Sequence, residues 1–354
     1  MIGEPYGYRQ RWQRQKYSRQ TDPIHVLHVL TDEGMCTVGN ARYTSIRARD
    51  LEHLRALTLD EDPLKREHLD SKPHAATRHM FALPSWHGAF DNYLWDIAGK
   101  AAQLTICDLI GRARSNWPFC YNFDSSRVES ALENAHKTVN MGLTALKNHW
   151  SSTAEKNIFN ARSIRQTFGD IPLLHDAASA PYTYEEALCV GRTLQNLRFE
   201  WFEELLPGRI FEQLQALYSA LYIPILAPET LMHEWELSAL WLRKGTTDLL
   251  RANARHGMTA TLKLAHCPQI QDSTIELSSS GCLVGLIHIR LVCAIGNTRY
   301  YEYLPGGTCD YLGRETGLMN PLLPINCCVR PPQVSGWDAE WDRVYFEKKH
   351  VALL

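Results

Sequence analysis

The stretch LLHDAASAPYTYEEALCVGRTLQNLRFEWFE, residues 173–203, contains the unit from which the rest of the chain can be read. A short apolar run, Leu173-Leu-His-Asp176, stops on an acid. A helical stretch follows, in which Ala187, Leu188, Gly191, Leu194 and Leu197 recur at spacings of three and four, the mark of one buried helix face. Trp201-Phe-Glu203 then repeats the first event 27 residues later.

Outward from this unit the same event recurs. Apolar runs end near Asn122, His149, Asp176, Glu203, Glu229, Ala252, Ser278 and Glu302, at intervals of 27, 27, 27, 26, 23, 26 and 24 residues. Between them lie further helical faces, such as Ile210, Leu214, Leu217, Tyr218 and Leu221. Strand then helix eight times over predicts an α/β fold, a (β/α)8 TIM-type barrel, whose chemistry gathers at the C-terminal ends of its strands. The polar residues that close the runs are therefore expected to face one site.

The first 115 or so residues do not keep this period. His25 to Leu30 and Met35 to Val38 flank Thr31-Asp-Glu-Gly34 and read as a hairpin. Helical patterns follow at Arg47 to Leu57 and Phe90 to Leu109. The expected organisation is an N-terminal α+β capping domain over 1–116, the barrel over 117–310, and a Pro- and Gly-rich segment over 311–354 that returns to the cap.

Composition narrows the class. With 37 Lys and Arg against 39 Asp and Glu, nothing in the overall charge favours nucleic acid or an anionic membrane as partner. The arm Tyr8-Arg-Gln-Arg-Trp-Gln-Arg-Gln-Lys-Tyr-Ser-Arg19 is basic with interleaved aromatics, and in a near-neutral chain it reads as a solvated arm. No apolar stretch approaches the ~18 residues of a membrane span, and the N-terminus lacks the apolar core of an export signal. The 10 cysteines are scattered from Cys36 to Cys328 without a C-x-x-C pair. A cytoplasmic chain with reduced, mostly buried thiols is expected.

Asp176, Glu203 and Glu229 close three consecutive runs, so in a barrel their carboxylates converge. Three clustered anions repel unless a cation lies between them. A hard divalent ion, Mg²⁺, accepts such an all-oxygen set; the alternative is rim acids paired with Lys or Arg.

At these residues the chain resembles the mandelate racemase-like branch of the enolase superfamily. Asp91-Asn-Tyr-Leu-Trp-Asp-Ile-Ala-Gly-Lys100 is similar to the helix that closes that family's capping domain. Gly142-Leu-Thr-Ala-Leu-Lys147, Trp201-Phe-Glu-Glu204, Ile223-Pro-Ile-Leu-Ala-Pro-Glu-Thr230 and Tyr300-Tyr-Glu-Tyr303 resemble its second, fourth, fifth and eighth barrel strands. The resemblance implies that a base removes the proton α to a carboxylate while Mg²⁺ stabilises the enediolate. By position, Asp176, Glu203 and Glu229 would hold the metal and Glu302 would hydrogen-bond the enediolate oxygen.

The chain also departs from the pattern. Where the family carries Lys-x-Lys, this sequence reads Lys147-Asn148-His149, which places an imidazole at the base position; strand alternation puts both residues on one face. An imidazole with an ordinary pKa near ~6.5 can take a proton and return it. The Asp–His dyad of the sixth and seventh strands is replaced by Arg251-Ala-Asn253 and Ser278-Ser-Ser-Gly281, and His256 and His288 read as structural. Racemisation needs ionisable groups on both walls, whereas dehydration can use one. Dehydration of a sugar acid by Lys147, His149 and Glu302, with Asn122, Arg251, Asn253 and Ser278 contacting the substrate, is thus the expected activity. A racemase, epimerase or cycloisomerase, or a metal-binding relative without turnover, is the alternative. Cap loops near Arg78 and His79 would set specificity, and a homo-oligomer is expected because capped barrels often associate.

Overall fold

The computed structural model describes residues 26–40, 48–77, 86–123, 144–206, 209–231, 234–278, 283–303 and 317–349, with isolated positions 132, 133, 136 and 142. The basic arm 8–19, Arg78 and His79 lie outside the described residues.

In the front part, β1 (Val26–Leu30) and β2 (Cys36–Asn40) pair antiparallel from Leu30 opposite Cys36. The turn closes through the Thr31 amide on the Met35 carbonyl at 3.0 Å, and Gly34 takes the left-handed backbone it needs, φ 80°. Helices α1 (Ala48–Thr58), α2 (Arg66–Ala76), α3 (His87–Ala102) and α4 (Ile106–Ile110) follow. The spacing predicted one helix over 90–109, but the chain breaks it. Gln103 turns left-handed at φ 56° and caps α3, while the Thr105 hydroxyl accepts the Asp108 amide at 3.2 Å to start α4. Apolar periodicity runs through this break, so the pattern alone could not place it.

Eight parallel strands form the second part: β3 (Trp117–Phe123), β4 (Ala145–His149), β5 (Leu173–Asp176), β6 (Trp201–Glu203), β7 (Ile225–Ala227), β8 (Leu249–Ala252), β9 (Ile275–Leu277) and β10 (Tyr301–Tyr303). They hydrogen-bond in the order β10-β3-β4-β5-β6-β7-β8-β9; the two end strands lie near each other, and the Ile275 amide of β9 donates to the carbonyl of Asn297, in the turn before β10, at 2.9 Å, so the sheet curls round on itself. Between strands run α5 (Ala154–Phe168), α6 (Tyr184–Asn196), α7 (Phe211–Ala220), α8 (Trp235–Arg243), α9 (Met258–Ile270) and α10 (Leu283–Ala294). Helix α6 shows why the period works. Thr183 and Glu186 form a reciprocal capping box at its start, and Ala187, Val190, Gly191 and Leu194 make its buried stripe. Gly191 lets the helix sit close, since a Cβ there would lie 2.5 Å from Leu221 Cδ1 and push that side chain aside.

Strand alternation sorts the side chains into layers. Ala145, Leu174, Trp201, Leu226 and Leu249 form a separate apolar cluster with Tyr300 packed against it, the floor of the barrel. Two residues further along these strands stand Lys147, Asp176, Glu203, Arg251 and Glu302, all 6% exposed or less. The apolar floor thus lifts a charged layer to the C-terminal ends.

The C-terminal part returns to the front. β11 (Cys328–Val329) pairs antiparallel with β3, and Trp337, 1% exposed, donates its indole N–H to the Asn92 carbonyl of α3 at 2.8 Å. Helix α11 (Arg343–Lys349) follows. No helix among the described residues is long and apolar enough to cross a membrane. Of the described thiols, Cys107 and Cys293 are buried, Cys189 is exposed and three are intermediate. The expectation of mostly buried thiols therefore holds for fewer than half of them.

Candidate active site

Helix α3 fixes the cap over the barrel mouth. Asp91 accepts the Thr259 amide at 2.8 Å and its hydroxyl at 2.6 Å, Asn92 donates to the Ala254 carbonyl at 2.7 Å, and Trp95 donates to the Thr259 hydroxyl at 3.0 Å. The Asp91 carboxylate sits at the N-terminus of α9, where the helix dipole favours negative charge. Gly88 permits the approach, since a Cβ would lie 2.3 Å from the Arg255 carbonyl.

Beneath it, register aligns the site. His149 pairs with Asp176, and Asp176 with Glu203, so three strand ends present side chains on one rung. Lys147 lies one layer deeper, and its long chain climbs to the same level. Its Nζ is 3.0 Å from Asp176 Oδ2, 2.8 Å from Glu203 Oε2 and 3.1 Å from both Glu302 oxygens. Arg251 lies across the barrel, with Nε 2.9 Å from Glu203 Oε1 and a terminal nitrogen 2.5 Å from Glu302 Oε2. Burial and Arg251 push the Lys147 ammonium down, but Glu203, Glu302 and Asp176 outweigh them and raise it above the usual lysine range. Burial raises Glu302, yet Arg251 and Lys147 prevail and hold it down at about 2. An ionised carboxylate only accepts hydrogen bonds. Glu302 in this arrangement bridges two cations, Lys147 and Arg251.

Of the three expected metal-binding acids, Asp176 and Glu203 meet at Lys147 Nζ, while Glu229 faces Arg255. Glu229 lies two residues past β7, on a single 3-10 turn Glu229–Leu231, with its side chain 35% exposed and 3.8 Å from Arg255. Arg251, read as a substrate contact, is committed to Glu203 and Glu302. Asn253 donates to the Ser278 hydroxyl at 2.6 Å on the facing wall. Asn122 is in register with Lys147 on β3, its side chain outside the described residues. His149 is at the rim, its side chain 11% exposed and its Nε2 3.7 Å from Asp176 Oδ2.

The donor chemistry nonetheless suits a hard divalent cation. Both Glu203 oxygens are buried and lack hydrogen-bond partners, holding only ion-pair contacts. Asp176, Glu203, Glu229 and Glu302 outnumber Lys147, Arg251 and Arg255 within the cluster, a formal excess of one acid. Burial pushes Glu203 well above the ordinary carboxyl range despite Arg251.

Sequence reasoning passed over Glu204. It is 5% exposed, left-handed at φ 46°, and accepts the Glu229 amide at 2.5 Å. Burial and the Glu229 charge push it up to about 8.

His288 shows the structural role expected of it. Its Nε2 accepts the Ala254 amide at 3.0 Å, and burial together with Arg255 and Arg251 drives it from 6.5 down to about 3. The unfolded chain takes up this proton as pH falls through 6.5, whereas the folded chain does so only near 3. Stability is thus fully present above 6.5 and lost as pH falls. Between pH ~7.5 and ~5 wild type should lose about 2 kcal/mol more than His288→Gln, read as urea midpoints; parallel pH slopes would contradict it.

Comparison with known proteins places this geometry. An arabinonate dehydratase of Saccharolobus solfataricus is 28% identical over 251 residues, covering 67% of this chain and 66% of that protein. A D-galactonate dehydratase family member of Catenulispora acidiphila is 24% identical, covering 68% and 65%. The match thus spans just under two thirds of each relative. In structure, the D-glucarate dehydratase of Agrobacterium tumefaciens complexed with magnesium superposes with a TM-score of 0.80 at 23% identity, over 91% of this chain and 89% of that one, and has the same capped barrel fold. Residues 9–111 match the mandelate racemase/muconate lactonizing enzyme N-terminal domain, and residues 130–344 match the enolase C-terminal domain-like family. The chain therefore belongs to the enolase superfamily, in its mandelate racemase/muconate lactonizing enzyme branch.

Proposed function

We propose that this chain is a Mg²⁺-dependent hydro-lyase that dehydrates an aldonic acid to its 2-keto-3-deoxy product. The observation that carries the reading is the asymmetry of the barrel walls. His149 stands at the rim above Lys147, while the facing wall offers an amide and a hydroxyl bonded to each other, Asn253 and Ser278. Inverting a centre needs proton carriers on both faces; removing water needs one group that takes the α proton and can hand a proton to the departing β-hydroxyl. The C–H and C–O bonds break, water leaves, and the resulting enol tautomerises to the ketone. The dehydratases among the relatives support the same class.

Asp176, Glu203 and Glu229 are the residues proposed to hold the ion. Bound Mg²⁺ would place positive charge at the substrate carboxylate and ease loss of the neighbouring proton. Lys147 and Arg251 add fixed positive charge at the same depth, and Glu302 holds the pair in place.

The test is incubation of the purified protein and Mg²⁺ with a panel of aldonic and aldaric acids, scored for 2-keto-3-deoxy acids. A 2-keto-3-deoxy product from at least one member is expected. Exchange of the α proton without dehydration would favour an epimerase. No turnover with Mg²⁺ bound would favour a metal-binding relative, the alternative to which the Lys147 and Arg251 pairing lends weight.

A further inference from the structure

A second group of ligating side chains sits in the cap and takes no part in the barrel chemistry. Asp70 and His74 are four residues apart on α2 and so share one face, and His87 opens α3 alongside. One ligand atom from each lies within 4.8 Å of the others. His87 is 4% exposed, and its Nε2 is 3.1 Å from Asp70 Oδ1 yet lacks a hydrogen bond of proper geometry. The contact holds the imidazole against a carboxylate that can itself ligate a metal. The His74 ring stands edge-on to that of His87, centroids 5.6 Å apart, and His74 is exposed, so an ion has a path in from solvent.

We propose that Asp70, His74 and His87 form a transition-metal site that takes Zn²⁺, with water completing the coordination. Two imidazoles and one carboxylate suit zinc, whereas Mg²⁺ prefers oxygen throughout. Lys263 of α9 does not block the site. Its Nζ is 3.2 Å from Asp70 Oδ2 and 2.7 Å from Glu67 Oε2, while the His87 nitrogen faces the other Asp70 oxygen, Oδ1. The lysine thereby fixes the carboxylate from outside, the part that outer hydrogen-bond partners play at metal sites. An ion here would staple α2 to the first turn of α3, the helix whose Asp91 and Asn92 seat the cap on the barrel mouth.

The full chain, stripped with chelator, is titrated calorimetrically with Zn²⁺ while Mg²⁺ is held in excess to occupy the barrel acids. Wild type and Glu229→Gln are expected to bind a single equivalent alike, whereas His74→Ala binds at least about tenfold more weakly. Zn²⁺ should also raise the Tm of wild type but not of His74→Ala. Co²⁺ gives a second reading, since its visible spectrum as a histidine-ligated ion should appear in wild type and be lost in Asp70→Asn. No Zn²⁺ uptake by wild type, or uptake that His74→Ala leaves unchanged, would overturn the proposal. Loss of uptake in Glu229→Gln but not in His74→Ala would assign the zinc to the barrel instead.

Discussion

Replacing Lys147 by methionine is expected to destabilise the metal-free protein by about 3–5 kcal/mol, the usual cost of removing one partner of a buried ion pair, and to make Mg²⁺ the cation that restores it. Methionine keeps most of the volume of the chain and removes only the charge. Lys147 is fully buried, and its ammonium touches Asp176, Glu203 and Glu302 within 3.1 Å. Without it, only Arg251 and Arg255 face those three carboxylates and Glu229, and the formal excess of acids rises from one to two. A divalent ion recovers most of that deficit, so the Mg²⁺-induced rise in Tm should be several times larger in Lys147→Met than in wild type. Thermal melts with and without Mg²⁺ check it. If the variant melts like wild type, or if Mg²⁺ leaves its Tm unmoved, the carboxylates do not form a cation site.

Much of the scaffold was legible because a barrel strand leaves a strong trace: a short apolar run, a polar residue at its end, and a helix with a 3.6-residue stripe before the next. The run ending at Asp176 and its successor at Glu203 show that trace, and register confirms they sit side by side. Glu229 shows where the trace misleads. Its run continues past the last ladder residue, Ala227, into a 3-10 turn, so a position that counts as a strand end in sequence is a loop position in space. The pairing of Lys147 with carboxylates from three other strands was equally hidden. Alternation tells which face a side chain takes, but not that a lysine one layer down has the reach to occupy the centre of the layer above. The zinc-type cluster escaped notice for a further reason: His87 is 13 residues beyond His74, and only the docking of α3 on α2 brings them together.

Replacing His149 by alanine is expected to lower kcat/KM on the proposed substrate about 10²–10⁴-fold and to abolish exchange of the substrate α proton in deuterated water, while Mg²⁺ affinity changes little. Two groups on this wall could in principle accept the proton. Lys147 is held as an ammonium by Glu203, Glu302 and Asp176, and an ammonium has no lone pair to offer near neutral pH. His149 stands one rung nearer the mouth, on the level of Asp176 and Glu203, its side chain 11% exposed. The Asp176 carboxylate lies 3.7 Å from Nε2. Proton NMR of the substrate α position in deuterated water, run on His149→Ala and on Glu229→Gln, separates the two functions. His149→Ala should lose exchange at full Mg²⁺ occupancy, whereas Glu229→Gln should lose exchange in proportion to weakened Mg²⁺ binding and recover at higher Mg²⁺. Exchange that persists in His149→Ala would move the base elsewhere. It would also mean that a cation bound among the acids releases Lys147 from its carboxylates and lowers its proton affinity enough for it to act.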